Sequence, residues 1–220
     1  MREMLYCRRP SAEWIPAYLD FCRECWGHVH DDYLLNDPAE YASWRETLLQ
    51  ELAEHEAGAG LAPGMMPSAR FWIMAGNVCI GAADIRLKLN DALRNYGGHL
   101  GLVIRPSCRG MGFSKKVNHL LLEEAVKLGL DELLITCVEE NTAAKQSLRS
   151  IPGIREEAGE AVFQGELRRI CRFYWKNPGE KFKKSKNFHL LFLAEMLDLV
   201  RKLFLRRDGE IKRIIKPKNQ

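Results

Sequence analysis

The stretch that decides the fold is HLGLVIRPSCRGMGFSKK, residues 99–116. Its first part, HLGLVI, is apolar and strand-like, and an arginine–proline pair closes the run. Two glycines one residue apart follow, and an amphipathic helical pattern then continues to Leu128. Backbone N–H groups at the start of a helix attract anions, because the helix dipole is positive there. A strand, a glycine turn and a helix in this order therefore predict a site for a ligand that carries phosphate.

The rest of the chain predicts an α/β fold in which helices flank a mixed, mostly antiparallel sheet. Before the quoted stretch, the patterns predict a strand at 4–9, helices at 11–26 and 37–56, and a hairpin at 70–89. Ser11 and Asp37 are the expected helix caps, and the hairpin turn is expected at Gly76-Asn77. After it, Gly129 ends the helix. The patterns then predict a buried strand at 132–138 and a helix at 141–150, which Asn141 caps. Two further strands are expected around 161–163 and at 170–175.

Composition is that of an ordinary globular protein, since 46% of the 220 residues are apolar and 28% are charged. No apolar run is as wide as a bilayer, and the N-terminal MREMLYCRRP lacks the apolar centre of a signal peptide. The seven cysteines are scattered and odd in number, which favours reduced thiols over a disulfide framework. We therefore expect a cytoplasmic protein.

Charge divides the chain after Trp175. Residues 1–175 hold 20 basic and 24 acidic side chains, whereas residues 176–220 hold 13 basic and 5 acidic ones. We expect a catalytic or binding domain at 1–175 and a basic helical extension at 176–220.

Two common phosphate sites do not fit the glycine turn. A dinucleotide fingerprint, G-x-G-x-x-G, would need a third glycine where Lys115 stands. A P-loop would need G-x-x-x-x-G-K-[ST], which the turn does not contain. The phosphate carrier must therefore be identified from the wider pattern.

That wider pattern resembles the GNAT (GCN5-related) N-acetyltransferase superfamily. Residues 107–112 match the family's acetyl-CoA loop, Q/R-x-x-G-x-G/A, with serine at the first position, and ELLITCV followed by EENTAA resembles the family's next strand and N-x-x-A helix start. The order of elements from about residue 4 to 175 also matches. The combination IRLKLND, NYGGHLGLVIRPS and LLITC is especially similar to a bacterial branch whose substrates are largely undefined.

The resemblance implies the GNAT fold, with splayed central strands, and acetyl-CoA as co-substrate. The N–H of Val103 would face the thioester carbonyl and stabilise the oxyanion, and Leu102 would be a neighbouring contact. The turn would hold the CoA pyrophosphate. The residues assigned to CoA binding on this basis are Leu102, Val103, Arg109, Gly110, Met111, Gly112, Phe113, Ser114 and Asn141.

The motifs identify the general acid and the general base of the reaction less clearly than the CoA contacts. Many family members carry a tyrosine acid seven residues after the asparagine, and Leu148 stands there instead. Asp84 and His99 are candidate bases, and His99 shares strand parity with Val103. Glu139 and Glu140 are further candidates. Each has a structural alternative, because Asp84 could pair with a nearby arginine and His99 could satisfy a strand end.

Three other features bear on partners. CRECWGHVH, residues 22–30, holds Cys22, Cys25, His28 and His30, but their spacing is too tight for a usual zinc site, and we expect core thiols and no metal. Met65 and Met66 lie in a loop that often borders the acceptor in this family. The tail segment 187–207 is apolar on more than one helical face and has basic flanks.

Burial of the tail against its own domain or against a second copy in a homodimer is the expectation, with contact to an anionic membrane surface as the alternative. We expect no specific nucleic-acid partner, since no reader motif accompanies the basic residues. The function implied is direct acetyl transfer from acetyl-CoA to a primary amine, with a small molecule as acceptor. A catalytically silent acyl-CoA-binding module is the alternative, and a different acyl group, such as succinyl, stays open.

Overall fold

Two antiparallel sheets form the centre of the fold in the computed structural model, which describes residues 5–28, 34–163 and 165–179. The first sheet has four strands in chain order, β1 Leu5–Arg8, β2 Ser68–Ala75, β3 Val78–Arg86 and β4 Leu100–Ile104. The second has the order β5-β7-β6, with β5 Glu132–Val138, β6 Arg155–Phe163 and β7 Glu166–Lys176. Together with the flanking helices they give the α/β fold that the sequence predicts.

Helices connect and cover these sheets. They are α1 Ile15–Cys25, α2 Tyr41–Trp44, α3 Leu48–Ala57, α4 Asp91–Asn95, α5 Phe113–Lys127 and α6 Thr142–Arg149. The ends of α5 differ by one residue from the predicted ones, and Gly129 follows it with a φ of 84°, as expected of a glycine after a helix. The hairpin turn at Gly76 and the cap of α6 are confirmed, since Asn141 Oδ1 accepts the N–H of Ala144 at 3.0 Å.

Two expectations about helices were wrong in detail, and two strands extend beyond their predicted apolar centres. Ser11 makes no side-chain cap; a 3₁₀ turn precedes α1 instead. The helix expected at 37–56 is divided into a 3₁₀ turn, α2 and α3, although Asp37 does cap its start. Strands β6 and β7 are longer than their apolar centres, because exposed charged residues continue them. Arg155 and Glu157, for example, form an ion pair on β6.

Each face of the first sheet has its own core. The front core lies between the sheet and α1–α3 and contains Tyr18, whose ring stacks on Trp72 with centroids 4.6 Å apart. The back core joins both sheets to α5 and α6 and includes Phe71, Phe113 and Phe173. Adjacent strand residues such as Phe71 and Trp72 point to opposite cores, as the pleat of a strand requires.

The backbones of the two sheets meet just before β4, at the middle of β5. Gly98 bridges to Ile135, and the N–H of His99 donates to the carbonyl of Leu134 at 2.7 Å. Nδ1 of His99 in turn accepts the N–H of Leu134 at 2.9 Å. Within the described residues no ladder joins β4 to β5 beyond this contact, so the strands separate into a gap, as the predicted splay requires.

The expected tail helix at 187–207, and nearly all of the extension at 176–220, lie outside the described residues. Among the residues that are described, no helix is both long enough and apolar enough to cross a membrane.

Replacement of Gly98 tests the contact between the sheets. Its φ is +61°, and an added Cβ would overlap the carbonyl oxygen of Leu134. We expect Gly98→Ala to lower the free energy of unfolding by roughly 1–2 kcal/mol for backbone strain and about 1–3 kcal/mol more for overpacking. Urea unfolding measures this loss. Gly60→Ala is the matched control, since Gly60 has a φ of +65° and open space around it; equal losses in the two variants would contradict a tight contact.

Candidate active site

The hydrogen-bond pattern of β4 decides which of its backbone groups face the gap. Arg86 donates its N–H to the carbonyl of His99, and Arg105 donates its N–H to that of Ile80, each at 2.8 Å. Alternate residues of an antiparallel strand bond to the same neighbour. The backbone groups of Val103, which lies opposite Ala82, therefore point towards β3.

This corrects the orientation expected for Val103. The N–H groups that face the gap belong to Leu102 and Ile104, because they occupy the alternate positions. The carbonyl of Ile104 confirms the direction, since it accepts a hydrogen bond from Nε of Arg109 at 3.0 Å, away from β3. The Val103 side chain is buried in the front core. The sequence shows which residues of the strand share a face. It does not show which neighbouring strand accepts the N–H of each residue, because that depends on the register.

The opposite edge of the gap is formed by β5. The N–H of Asn177 donates to the carbonyl of Asp131 at 2.7 Å, and the N–H of Glu139 donates to that of Arg169 at 3.0 Å. The odd-numbered residues of β5 thus bond to β7, so the backbone groups of the even-numbered Leu134 and Thr136 point towards the other sheet. Both edges present donors and acceptors to anything that enters between them.

The glycine turn lies where β4 leaves the gap. A 3₁₀ turn at Pro106–Cys108 leads to Gly110 and Gly112, whose φ angles are 72° and 79°. Gly112 is the N-cap of α5, and no side chain caps the helix there. The N–H groups of the first turn therefore lack intrahelical acceptors. No acidic residue lies in that turn, and a Cβ on either glycine would have no atom within 4 Å.

This helix start also shifts the register of the loop motif. When the motif begins at Arg109, its first glycine is Gly112 and its last small residue is Ser114. That register places the glycine at the N-cap of α5, where the backbone needs a positive φ. The match at Ser107–Gly112 ends instead at the N-cap. The new register has the arginine that the motif expects at its first position, but it places Ser114 where the motif has glycine or alanine. Of the predicted CoA contacts in the turn, Phe113 is buried and the others are exposed or half-buried.

A buried arginine fixes the start of the turn. Arg105 is 8% exposed and donates from Nε to Glu24 Oε2, from Nη2 to Asp20 at 2.9 Å and from Nη1 to the carbonyl of Cys79 at 3.3 Å. The other oxygen of Glu24 accepts the N–H of Ser107 at 2.6 Å. Burial opposes the ionisation of Glu24, but the hydrogen bonds from Arg105 and Ser107 outweigh it and lower the pKa of this carboxyl.

Asp84, a candidate base, lies in a buried ion pair. Its two oxygens accept from Nε and Nη2 of Arg70 at 2.5 and 3.2 Å, and Arg70 also donates to the carbonyl of Leu34 at 3.1 Å. Asp84 is 3% exposed and lies directly opposite Arg70 in the ladder. Both carboxylate oxygens are thus already held, which favours the structural alternative.

His99, the other candidate base, lies at the contact between the sheets. Its Nδ1 accepts the N–H of Leu134, so the ring proton of the neutral form is on Nε2. Burial lowers the pKa of His99 and stabilises that neutral form. A proton could be taken up only at Nδ1, at the expense of the bond to Leu134.

The remaining candidates lie around the end of β5. Asn141 accepts from Ala144, so its side chain caps α6. Glu139 forms an ion pair with Arg169 at 2.8 Å. Leu148, at the expected tyrosine position, is 4% exposed in the back core. Met65 is 49% exposed in the loop between α3 and β2.

The thiols of α1 behave as core residues. Cys22 and Cys25 are buried, and burial raises the pKa of both, that of Cys25 to about 12. No group of three or more metal-ligating side chains occurs in the part of the chain that the structure describes, and His30 lies outside it.

Replacement of the buried pair tests its structural role. Asp84→Asn leaves the Arg70 charge buried without a counter-charge, and we expect a loss of about 3–5 kcal/mol in the free energy of unfolding. The double variant Arg70→Met/Asp84→Leu should recover most of that loss, because no charge then stays buried. Urea unfolding measures both, and Glu157→Gln, in an exposed ion pair, is the control. A mild loss in Asp84→Asn would contradict the structural role.

Comparison with known proteins is informative at the level of fold and family. Residues 16–149 match the profile of the acetyltransferase (GNAT) family. A search of curated protein sequences finds no match.

Several solved structures share the fold. One is RimL, a ribosomal L7/L12 alpha-N-protein acetyltransferase in complex with coenzyme A, with a TM-score of 0.55 and 15% identity over 79% of this chain and 94% of that one. A second is a chimera of the spermidine N-acetyltransferase SpeG from Vibrio cholerae and hSSAT, with a TM-score of 0.50 and 18% identity over 82% and 98% of the two chains.

A third is the microcin C7 self-immunity acetyltransferase MccE in complex with acetyl-CoA and AMP, with a TM-score of 0.53 and 11% identity over 78% and 92% of the chains. At such identities a structural likeness establishes the fold alone. The family profile covers more than half of the chain, and it confirms the resemblance found in the sequence. The chain therefore belongs to the acetyltransferase (GNAT) family.

Proposed function

We propose that this acetyltransferase transfers the acetyl group of acetyl-CoA directly to the primary amine of a small molecule, with CoA lying between β4 and β5. The observation that carries the proposal is a path along β4 and the glycine turn that has backbone N–H groups available at both of its ends. It starts at Leu102 and Ile104 on the edge of the gap and ends at the uncapped first turn of α5. An amide-containing chain with a pyrophosphate at its end matches that path.

The turn supplies what a pyrophosphate needs. The backbone N–H groups from Gly110 to Ser114, with the positive end of the α5 dipole, would receive the anion. The N–H of Arg109 already donates to the carbonyl of Pro106 at 3.1 Å. Open space above Gly110 and Gly112 lets the phosphates approach the backbone closely. The gap edges would bond to the pantetheine amides, as a strand bonds to its neighbours.

The transfer step uses the N–H of Leu102. Acetyl-CoA supplies a thioester, and the amine nitrogen attacks its carbonyl carbon, so that a C–N bond forms and the C–S bond breaks. The Leu102 N–H faces the gap and would donate to the oxyanion of the tetrahedral intermediate. Leu102 takes this role in place of Val103, whose N–H faces β3.

Proton transfer needs little help from the side chains placed so far. Leu148 cannot protonate the leaving thiolate, but a free thiol has a pKa of about 8.5, so the thiolate is a tolerable leaving group. We propose structural roles for Asp84 and His99, since Arg70 and Leu134 already hold their acceptor atoms. The amine would then react as its neutral form and lose a proton to water as the C–N bond forms, and the CoA thiolate would leave and take up a proton from water.

The acceptor is proposed on the basis of charge. Residues 1–175 carry an excess of acidic side chains, 24 against 20 basic ones, so a cationic amine is not repelled. Met65, exposed in the loop before β2, is proposed to border the acceptor. An amine on a peptide or protein is the alternative outcome, and the same assay tests it.

A substitution at the N-cap of α5 tests CoA binding. We expect Gly112→Ala to weaken CoA binding at least tenfold in calorimetry, because a side chain at this positive φ distorts the turn and occupies the space of the phosphates. Gly129→Ala is the control at the other end of the same helix, with a φ of +84° and open space. It should cost similar stability, about 1–2 kcal/mol, but leave CoA affinity unchanged. Equal losses of affinity in the two variants would argue against a phosphate site.

A thiol-release screen tests the acetyl transfer itself. Acetyl-CoA is offered with polyamines, other small primary amines and short peptides with a free N-terminus, and thiol release with a small amine is the expected result. The rate should rise with pH as the amine loses its proton and show no fall as a tyrosine would titrate, near pH 10. Retained activity in Arg70→Met/Asp84→Leu would support the structural role of Asp84. CoA binding without thiol release from any amine would favour the silent binding module.

A further inference from the structure

The start of the glycine turn is held by a residue of a distant helix. Glu24 lies in the last turn of α1, and its Oε1 accepts the N–H of Ser107 at 2.6 Å while its Oε2 accepts from Nε of Arg105. The two oxygens therefore fix two successive parts of one segment, the end of β4 and the 3₁₀ turn that follows it. Within the segment that follows, Ser107, Arg109, Gly110 and Gly112 are exposed.

We propose that Glu24 is a positioning residue for CoA, which orients the turn that receives the pyrophosphate. This inference rests on the proposed function. Two glycines within the turn leave its backbone free to adopt many conformations. A bidentate anchor at its first residues restricts them before the ligand arrives, and such preorganisation lowers the cost of binding.

The negative charge of Glu24 opposes its proposed role. A carboxylate so close to an anion site opposes binding by simple Coulomb repulsion. If Glu24 acted only through its charge, its neutralisation would strengthen the binding of CoA. If it acts by position, neutralisation weakens that binding. The two views therefore predict changes of opposite sign in one experiment.

Glutamine separates the two views. Glu24→Gln keeps the shape of the side chain, but it has one acceptor oxygen where two are needed, for the Ser107 N–H and for Arg105. One of these donors must lose its partner. Asp20→Asn is the matched control, because it makes the same charge change one helical turn earlier and also touches Arg105, at 2.9 Å.

The experiment is calorimetry with CoA and with S-acetylpantetheine, which lacks the pyrophosphate and the nucleotide, on folded protein checked by circular dichroism. We expect Glu24→Gln to raise the Kd for CoA about tenfold, as loss of a hydrogen bond to a charged group does. Its Kd for S-acetylpantetheine should not change. Asp20→Asn should bind CoA as the unmodified protein does, or more tightly.

Two results would overturn the inference. One is a Glu24→Gln protein that binds CoA as tightly as before or more tightly. The other is an equal loss of affinity for both ligands, since a general structural defect would not distinguish them. Failure of the proposed function gives a different result, because the unmodified protein would then bind neither ligand, and this inference would fail with it.

Discussion

The contact of Gly98 and His99 with Leu134 and Ile135 is the constraint on which the rest of the structure depends. It joins the two sheets, and it is short enough to leave the following residues of β4 and β5 apart. Full pairing of these strands would occupy the N–H groups of Leu102 and Ile104, which face the gap. Because the pairing stops, those groups stay available to a ligand, and the fold keeps its opening at the centre.

The contact is stabilised from several directions. The imidazole of His99 accepts from Leu134 while the backbone of the same residue donates to it. Arg86 donates to the carbonyls of Gly97 and Gly98 at 3.2 and 3.0 Å, and Thr136 accepts the N–H of Gly97 at 2.9 Å. Glycine is needed at position 98, since a side chain there would meet the Leu134 carbonyl. These contacts therefore fix the end of the gap at which the two sheets meet.

Local signals in the sequence predicted most of the fold and the position of the site. Gly76, Gly129 and Asn141 each mark a turn or cap through their own chemistry, and the structure confirms all three. Amphipathic spacing gave α5 almost to the residue. The site could be located for the same reason, because a strand, glycines and a helix are consecutive in the chain.

The features of the site that the sequence did not predict depend on contacts between residues far apart in the chain. The direction of the Val103 N–H follows from the ladder with β3, which is known only once the strands are in register. Asp84 could be matched to an arginine, but only the ladder identifies Arg70, which lies opposite it on β2, as a partner. Glu24 carries no local sign of its bond to Ser107, from which 83 positions separate it.

The start of α5, which no side chain caps, is stabilised by local contacts together with distant ones. At a typical helix N-cap, whose backbone is extended, a serine or aspartate stabilises the helix by about 1 kcal/mol, whereas at Gly112 it would strain a turn with a φ of 79°. It would also occupy the N–H groups that an anion needs, and its side chain would enter the open space above the turn. The helix is instead secured by burial of Phe113 at its first position, and the approach to it is held by Glu24 through Arg105 and Ser107. Stability that a cap would give locally is thus provided by the back core and by α1, and the backbone of the turn stays free for the ligand.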